Sequence, residues 1–225
     1  MSTFWQGIAQ QAQEHPKPRF GTLDEWLNEP VRKECWRDIR MEAASGVDRL
    51  RAQDDERHLD ENIHNLVERL KGKQYRATRV RRQYLPKGDG QLRPLGIPAV
   101  EEKLVQLAVT RILQAIDAQD FRRGSSGDRP HGGAVDAVDR RTIKRPCGRY
   151  NVVVGADLKG FLDTIEQGWW VRMLAERSED GAGLRRIEKW LKAGVLDTDG
   201  QVLHPATGTP PGGSRSPILA KAYVH

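Results

Sequence analysis

Between Tyr150 and Ile165 the chain reads Tyr-Asn-Val-Val-Val-Gly-Ala-Asp-Leu-Lys-Gly-Phe-Leu-Asp-Thr-Ile, which sets one carboxylate, Asp157, just past a continuous apolar run. Oxygen donors suit hard divalent cations, and a carboxylate emerging at the end of a buried strand could offer one. A lone Asp at such a point serves equally well as a helix cap or a surface group. Far upstream, Lys87 and Arg93 flank the turn Lys87-Gly88-Asp89-Gly90. An arginine presents a planar fork to phosphate oxygens and a lysine a point charge, so the pair could converge on one anion or simply form a solvated basic face. The chemistry these residues suggest is metal-assisted transfer at a phosphate.

Composition is consistent with a polyanionic partner. The 225 residues carry a formal net charge of +6 with 30% charged residues. The excess is local: the segment from Lys71 to Arg93 holds Lys71, Lys73, Arg76, Arg79, Arg81, Arg82, Lys87 and Arg93 against the single acid Asp89. Its balance of +7 leaves −1 for everything else. Such charge suggests nucleic acid without naming it. Cys35 and Cys147 match no metal-ligand spacing and read as reduced packing thiols of a cytoplasmic protein. The N-terminus lacks a basic region followed by an apolar run, and no window is long enough to span a bilayer, so no membrane association is expected. His131 and His204 have no evident ligand partners and read as loop residues.

The elements that must position these groups alternate unevenly, which predicts an α+β fold. Pro30 can open a helix running through Cys35 and Ile39 toward Gly46, a plausible stop. Leu59, Ile63, Leu66, Val67 and Leu70 recur at helical spacing before Gly72. Arg79 to Leu85 and Leu92 to Ile97 flank the Gly-rich turn as a β-hairpin. Leu104, Leu107, Ala108, Ile112, Ala115 and Ile116 mark a long helix from about Val100 to Ala118, with a further helix fitting Ala134 to Lys144. Val152-Val153-Val154 reads as a strand covered on both faces, followed by a helix carrying Ile165, Trp169, Met173 and Leu174. Leu184, Ile187 and Leu191 give another helix ending near Gly194, Asp199-Gly200 a small hairpin, and Ser216-Pro217 a last helix start.

Five segments in fixed order give the chain its character: Tyr84-Leu85-Pro86-Lys87, Arg93 to Pro98, Ala156 to Ile165, Leu191 to Leu196, and Gly208-Thr209-Pro210-Pro211-Gly212-Gly213 through Ser216-Pro217. From about Gly46 onward the chain resembles the N-terminal half of a group II intron reverse transcriptase, or maturase. Gly46-Val47-Asp48 is similar to that family's N-terminal extension. The resemblance implies a right-hand polymerase with a helical extension (1–74), fingers (75–149) and an incomplete palm (150–225).

It also implies roles. Lys87 and Arg93 would contact the triphosphate of the incoming deoxynucleotide, and Asp157 with the Leu158 carbonyl would hold Mg2+ for two-metal nucleotidyl transfer. Phe161, Leu162, Pro211 and Gly212 would lie at the nucleotide, Phe161 also reading as core. Arg79, Arg81, Arg82 and Arg129 would follow the RNA template, although charge on an exposed strand can equally serve solubility. Asp163 reads as a helix cap. The implied partners are an intron RNA template, a DNA primer and deoxynucleoside triphosphates.

Four departures weaken the likeness. Leu162 stands where the family has an aromatic ring that crowds the nucleotide's 2′ position, and Pro211 where it has Gln. Ser126 to His131 is an altered Gly-aromatic-Arg-Pro segment, with Asp128 in the aromatic position. No Tyr-Ala-Asp-Asp hairpin follows within these residues. The expectation is therefore a truncated polymerase, inactive alone, with a non-catalytic intron RNA-binding module or a decayed remnant as alternatives.

Overall fold

A computed structural model describes residues 3–14, 20–21, 25–88, 90–120, 152, 154–158 and 160–209. Its elements are α1 (Thr3–Glu14), α2 (Glu29–Trp36), α3 (Ala52–Glu56), α4 (Leu59–Lys71), β1 (Val80–Pro86), β2 (Leu92–Ile97) and α5 (Val100–Asp120). After these come α6 (Phe161–Thr164), α7 (Gln167–Arg177), α8 (Gly181–Lys192), β3 (Val195–Leu196) and β4 (Val202–Leu203). None of the described helices is long and apolar enough to cross a membrane.

The core is helical. α5 buries Leu104, Val105, Ala108, Ile112, Leu113 and Ile116, most of the stripe read from sequence, and Trp5, Ile8 and Ala12 of α1 cover it. α4 contributes Ile63, Leu66, Val67 and Leu70. In α8, the Asp180 side chain accepts from the backbone N–H groups of Ala182 and Gly183 at 2.9 and 3.1 Å, which starts the helix and lets Ile187, Trp190 and Leu191 face inward. In the preceding helix the inward tryptophan is Trp170, 1% exposed, whereas Trp169 from the sequence reading stands half exposed with the Arg172 guanidinium 5.2 Å from its ring centroid. Cys35 is a buried free thiol pushed up to about 11 by burial, in keeping with a packing role, while Cys147 lies outside the described residues.

Helix α2 begins as expected, with Asn28 accepting from Val31 N–H at 3.2 Å and Pro30 in the first turn. It ends at Trp36, well before Gly46, in a tighter turn where Asp38 and Ile39 donate to the carbonyls of Cys35 and Trp36. Gly46 has a different use. A Cβ there would sit 2.4 Å from the Ala99 nitrogen and 2.5 Å from its Cα, so glycine lets the loop lie against the entrance to α5. Gly46→Ala is expected to cost about 1–3 kcal/mol, read as a lowered urea midpoint. Gly7→Ala, with nothing within 4 Å of the added carbon in α1, should instead gain about 0.5–1 kcal/mol.

A four-stranded sheet runs in the order β2-β1-β3-β4. The expected hairpin β1–β2 and the expected small hairpin β3–β4 are both antiparallel. Their union is not a sequence-level feature: β3 pairs parallel to β1, Val80 opposite Val195 and Arg81 opposite Leu196. Among the described residues of 152–158 there is no strand, contrary to the expected buried one, and Val152 and Val154 are 76% and 87% exposed. An apolar run becomes a strand only when a neighbouring backbone takes up its N–H and C=O groups, and no described strand lies beside it.

Candidate functional site

The hairpin register decides how the basic residues are displayed. Arg93 stands opposite Leu85, and the Lys87 N–H donates to the Gln91 carbonyl at 2.7 Å, closing the turn with Gly90 at φ +78°. Strand alternation places Arg93, Leu85 and Lys87 on one face, with Arg93 and Lys87 diagonal neighbours and both exposed. Two cations at that spacing can reach a single polyphosphate.

The arginines around β1 take separate roles. Arg79 is exposed ahead of the strand. Arg81 turns inward and donates from Nε and Nη2 to the Ser45 carbonyl at 3.0 and 2.6 Å, pinning the loop that carries Gly46. Arg82 lies on the opposite face from Arg81, beside Tyr84 and Asp197, where the Tyr84 hydroxyl donates to Asp197 at 3.2 Å. The Thr198 N–H, the Tyr84 hydroxyl and the Arg82 charge together hold the Asp197 carboxyl below the usual carboxylate range. Arg129 lies outside the described residues.

Downstream, Asp157 and Leu158 are exposed on a stretch without regular structure, Leu158 at 64%. Gly160, at φ +63°, turns the chain into the short helix α6. Phe161 there is half-buried and packs against the core, as the sequence suggested. Leu162 is half-buried as well. Asp163 does not cap a helix: α6 starts at Gly160, α7 at Glu166, and neither start has a side-chain cap.

Two segments far apart in sequence meet here. The Thr209 N–H donates to the Leu162 carbonyl at 2.8 Å, the Gly208 N–H to Ile165 at 2.7 Å, and the Thr207 hydroxyl to Asp163 at 2.9 Å. Gly208, at φ +74°, comes so close that a Cβ would stand 2.6 Å from the Asp163 Cα and from the carbonyl oxygens of Leu162 and Asp163. Gln167, missed by sequence reasoning, locks this join: its Nε2 lies within 3.0–3.3 Å of the carbonyls of Gly208, Leu191 and Pro205. Gly208 and Thr209, which open the glycine-rich segment, are thus anchored on Leu162 to Ile165, while Pro211 and Gly212 lie outside the described residues.

A hard cation needs several oxygen ligands. Asp157 can supply one, but among the described residues no group of three or more His, Cys, Asp or Glu side chains could hold a metal ion. The described residues therefore do not complete a divalent-metal site.

Comparison with known proteins places this arrangement. The reverse transcriptase (RNA-dependent DNA polymerase) family model matches residues 85–225. The chain is 36% identical over 167 residues to the group II intron-encoded protein LtrA of Lactococcus lactis subsp. cremoris, covering 74% of this chain and 27% of LtrA. It is 31% identical over 212 residues to protein YkfC of Escherichia coli K12, covering 92% of this chain and 54% of YkfC. It thus spans about a quarter of the first relative and about half of the second. A chain of the solved partial Cas6-RT-Cas1–Cas2 complex shares its fold, with a TM-score of 0.58 at 19% identity over 91% of this chain and 34% of that one. The mixed helix and sheet body, the ordered segments and these matches agree: the chain is similar to group II intron-encoded proteins and belongs to the reverse transcriptase family.

Proposed function

We propose that these residues form the fingers and part of the palm of an RNA-directed DNA polymerase, with a helical extension over 1–74, fingers over 75–149 and palm from 150. Lys87 and Arg93 hold the triphosphate of a deoxynucleotide, and Asp157 with the Leu158 carbonyl contributes oxygen ligands to Mg2+, further donors coming from outside the described residues. Bound metal would activate a primer hydroxyl and stabilise the leaving pyrophosphate. Leu162, Phe161, Pro211 and Gly212 shape the nucleotide's surroundings, and Arg79, Arg82 and Arg129 follow an intron RNA template. Arg81 shares that charge while its guanidinium holds Ser45. The observation that supports this reading is the docking of Gly208 and Thr209 onto Leu162 to Ile165, which joins the start of the glycine-rich segment to the segment that follows Asp157 in sequence.

The test has two parts. Fluorescent deoxynucleotide bound to the 225-residue chain on a primer-template should weaken about 10- to 100-fold in Lys87→Ala and in Arg93→Ala, as expected for losing a charge-assisted hydrogen bond. Unchanged affinity in both would remove their nucleotide role. Primer extension by the same chain, run beside Asp157→Ala, tests the metal role: extension that Asp157→Ala abolishes supports the polymerase reading, and extension that survives it removes Asp157 from the chemistry.

A second reading, a non-catalytic RNA-binding module, draws on the +7 balance between Lys71 and Arg93. It requires RNA affinity that survives Asp157→Ala and falls when Arg79 and Arg82 become alanine.

A further inference from the structure

A cavity of about 360 Å³ lies where α3 and α4 meet the start of α5. Its volume falls within the roughly 300–1,000 Å³ of small-molecule sites. Helical spacing builds the lining: Leu59, Ile63 and Leu66 recur on one face of α4, and Val100 and Leu104 on one face of α5. Ile63, Leu66, Val100 and Leu104 are buried, so the floor is apolar. Leu50, 51% exposed, and the exposed Asn65 mark the side that meets solvent.

The charges on the wall do not balance. Asp48, Asp55 and Glu101 line the cavity against a single guanidinium, that of Arg69. Arg69 donates to both carboxylate oxygens of Glu101, so these two neutralise each other. Asp48 accepts from the Leu50 N–H at 3.2 Å and has Lys103 as a neighbouring charge, although the Lys103 ammonium donates to the Ala44 carbonyl at 2.6 Å. Asp55 differs from both: its Oδ1 accepts from the neutral Asn62 amide at 2.6 Å, and it forms no ion pair among the described residues. Burial pushes the Asp55 carboxyl above its ordinary value, the Asn62 amide holds it back, and Glu101 and Asp48 add to the rise. A half-buried carboxylate beside two like charges is costly until a cation joins it. A divalent metal does not fit, because among the described residues no group of three or more His, Cys, Asp or Glu side chains could hold one. A phosphate would be repelled. We propose that this cavity binds a small organic cation, an ammonium or guanidinium on an apolar body, with its head at Asp55 and its body against Ile63, Leu66 and Leu104. The site does not depend on the polymerase reading above.

The test is calorimetric titration of the full chain with phenylguanidine as the probe and benzyl alcohol, of similar size and neutral, as its comparison. Phenylguanidine should bind saturably and benzyl alcohol about tenfold or more weakly. Asp55→Asn keeps the shape while removing the charge, and should weaken phenylguanidine about tenfold or more. Glu56→Gln removes an exposed charge next to it, outside the lining, and should leave the affinity unchanged. Asn65→Trp, on the solvent side, should narrow the cavity and lower the affinity. Equal affinities in the parent and Asp55→Asn, equal losses in Asp55→Asn and Glu56→Gln, or equal affinities for the two probes would each overturn the site. The probe comparison needs no substitution, so it stands whether or not a variant folds. N-acetylarginine amide tests a second source of the same head group. If it binds more tightly than phenylguanidine, the cavity receives an arginine side chain of a partner protein and the small-molecule assignment fails.

Discussion

A Trp190→Ala chain is expected to lose about 3–5 kcal/mol of stability, a large share of the margin of about 5–15 kcal/mol that holds a domain folded. Trp190 is 2% exposed and packs in the main core, so its removal opens a cavity between α8 and the rest of the helical body. It also takes away a polar contact, since the indole Nε1 donates to the Tyr75 hydroxyl at 2.8 Å. Glu102, 1% exposed, lies against that hydroxyl and accepts from the Thr78 N–H at 2.9 Å, so the loop leading to β1, helix α5 and helix α8 share one buried polar knot. Urea denaturation of Trp190→Ala and Trp190→Phe separates the contributions: the phenylalanine chain keeps most of the volume and should show the smaller loss.

The same knot sets an alkaline limit. Burial, reinforced by Glu102, pushes the Tyr75 hydroxyl well above its usual value of 10.0, and burial raises Cys35 to about 11. In both cases the unfolded chain ionises first as pH rises. Their stabilising contribution is therefore full below about pH 9 and is lost as pH climbs through and beyond the unfolded values. The urea midpoint should fall between pH 8 and pH 10.5, and fall less steeply in Tyr75→Phe. A midpoint constant over that range would contradict the buried placement of both groups.

Gly208→Ala should be the most damaging single-carbon change near the site, at about 2–5 kcal/mol. It combines the cost of a left-handed conformation, about 1–2 kcal/mol, with overpacking of about 1–3 kcal/mol. Three backbone atoms at 2.6 Å leave no flexible side chain to give way, so either the Thr207–Thr209 segment lifts off α6 or the local fold opens. Gly200→Ala is the natural comparison, because Gly200 is also left-handed at φ +86° with nothing within 4 Å. It should show the conformational cost alone. Near-equal melting temperatures for the two variants would mean that Gly208 does not hold the join.

Local signals explain what was readable. The β1–β2 hairpin followed from its Gly-rich turn, and α4, α5 and α8 from apolar residues at helical spacing, because these patterns are set by neighbours in sequence. Gly46 was misread as a helix stop, since a sequence shows the glycine but not whether it is needed for a positive φ or for a missing Cβ. Val152 to Val154 looked like a strand because apolar content does not reveal whether a partner backbone is present. The attachments of Arg81 and Gln167 were invisible for a related reason: their partners are main-chain carbonyls from distant segments, which carry no residue signature. At the site, Lys87 and Arg93 gained a common face from the register, whereas Asp157 gained no cluster of carboxylates among the described residues.

The parallel pairing of β1 with β3 also has a meaning for how the chain is made. Tyr84 and Asp197, joined across that sheet, are 113 positions apart, and at about 5–20 residues per second a ribosome needs on the order of ten seconds to travel between them. Throughout that interval the hairpin can be complete while the far edge of β1 still waits for its neighbour. An uncovered edge invites pairing with other nascent chains, and charge or proline along it discourages that. Arg81, Arg82 and Pro86 lie along β1, so charge and a proline guard that edge while its neighbour is still being made.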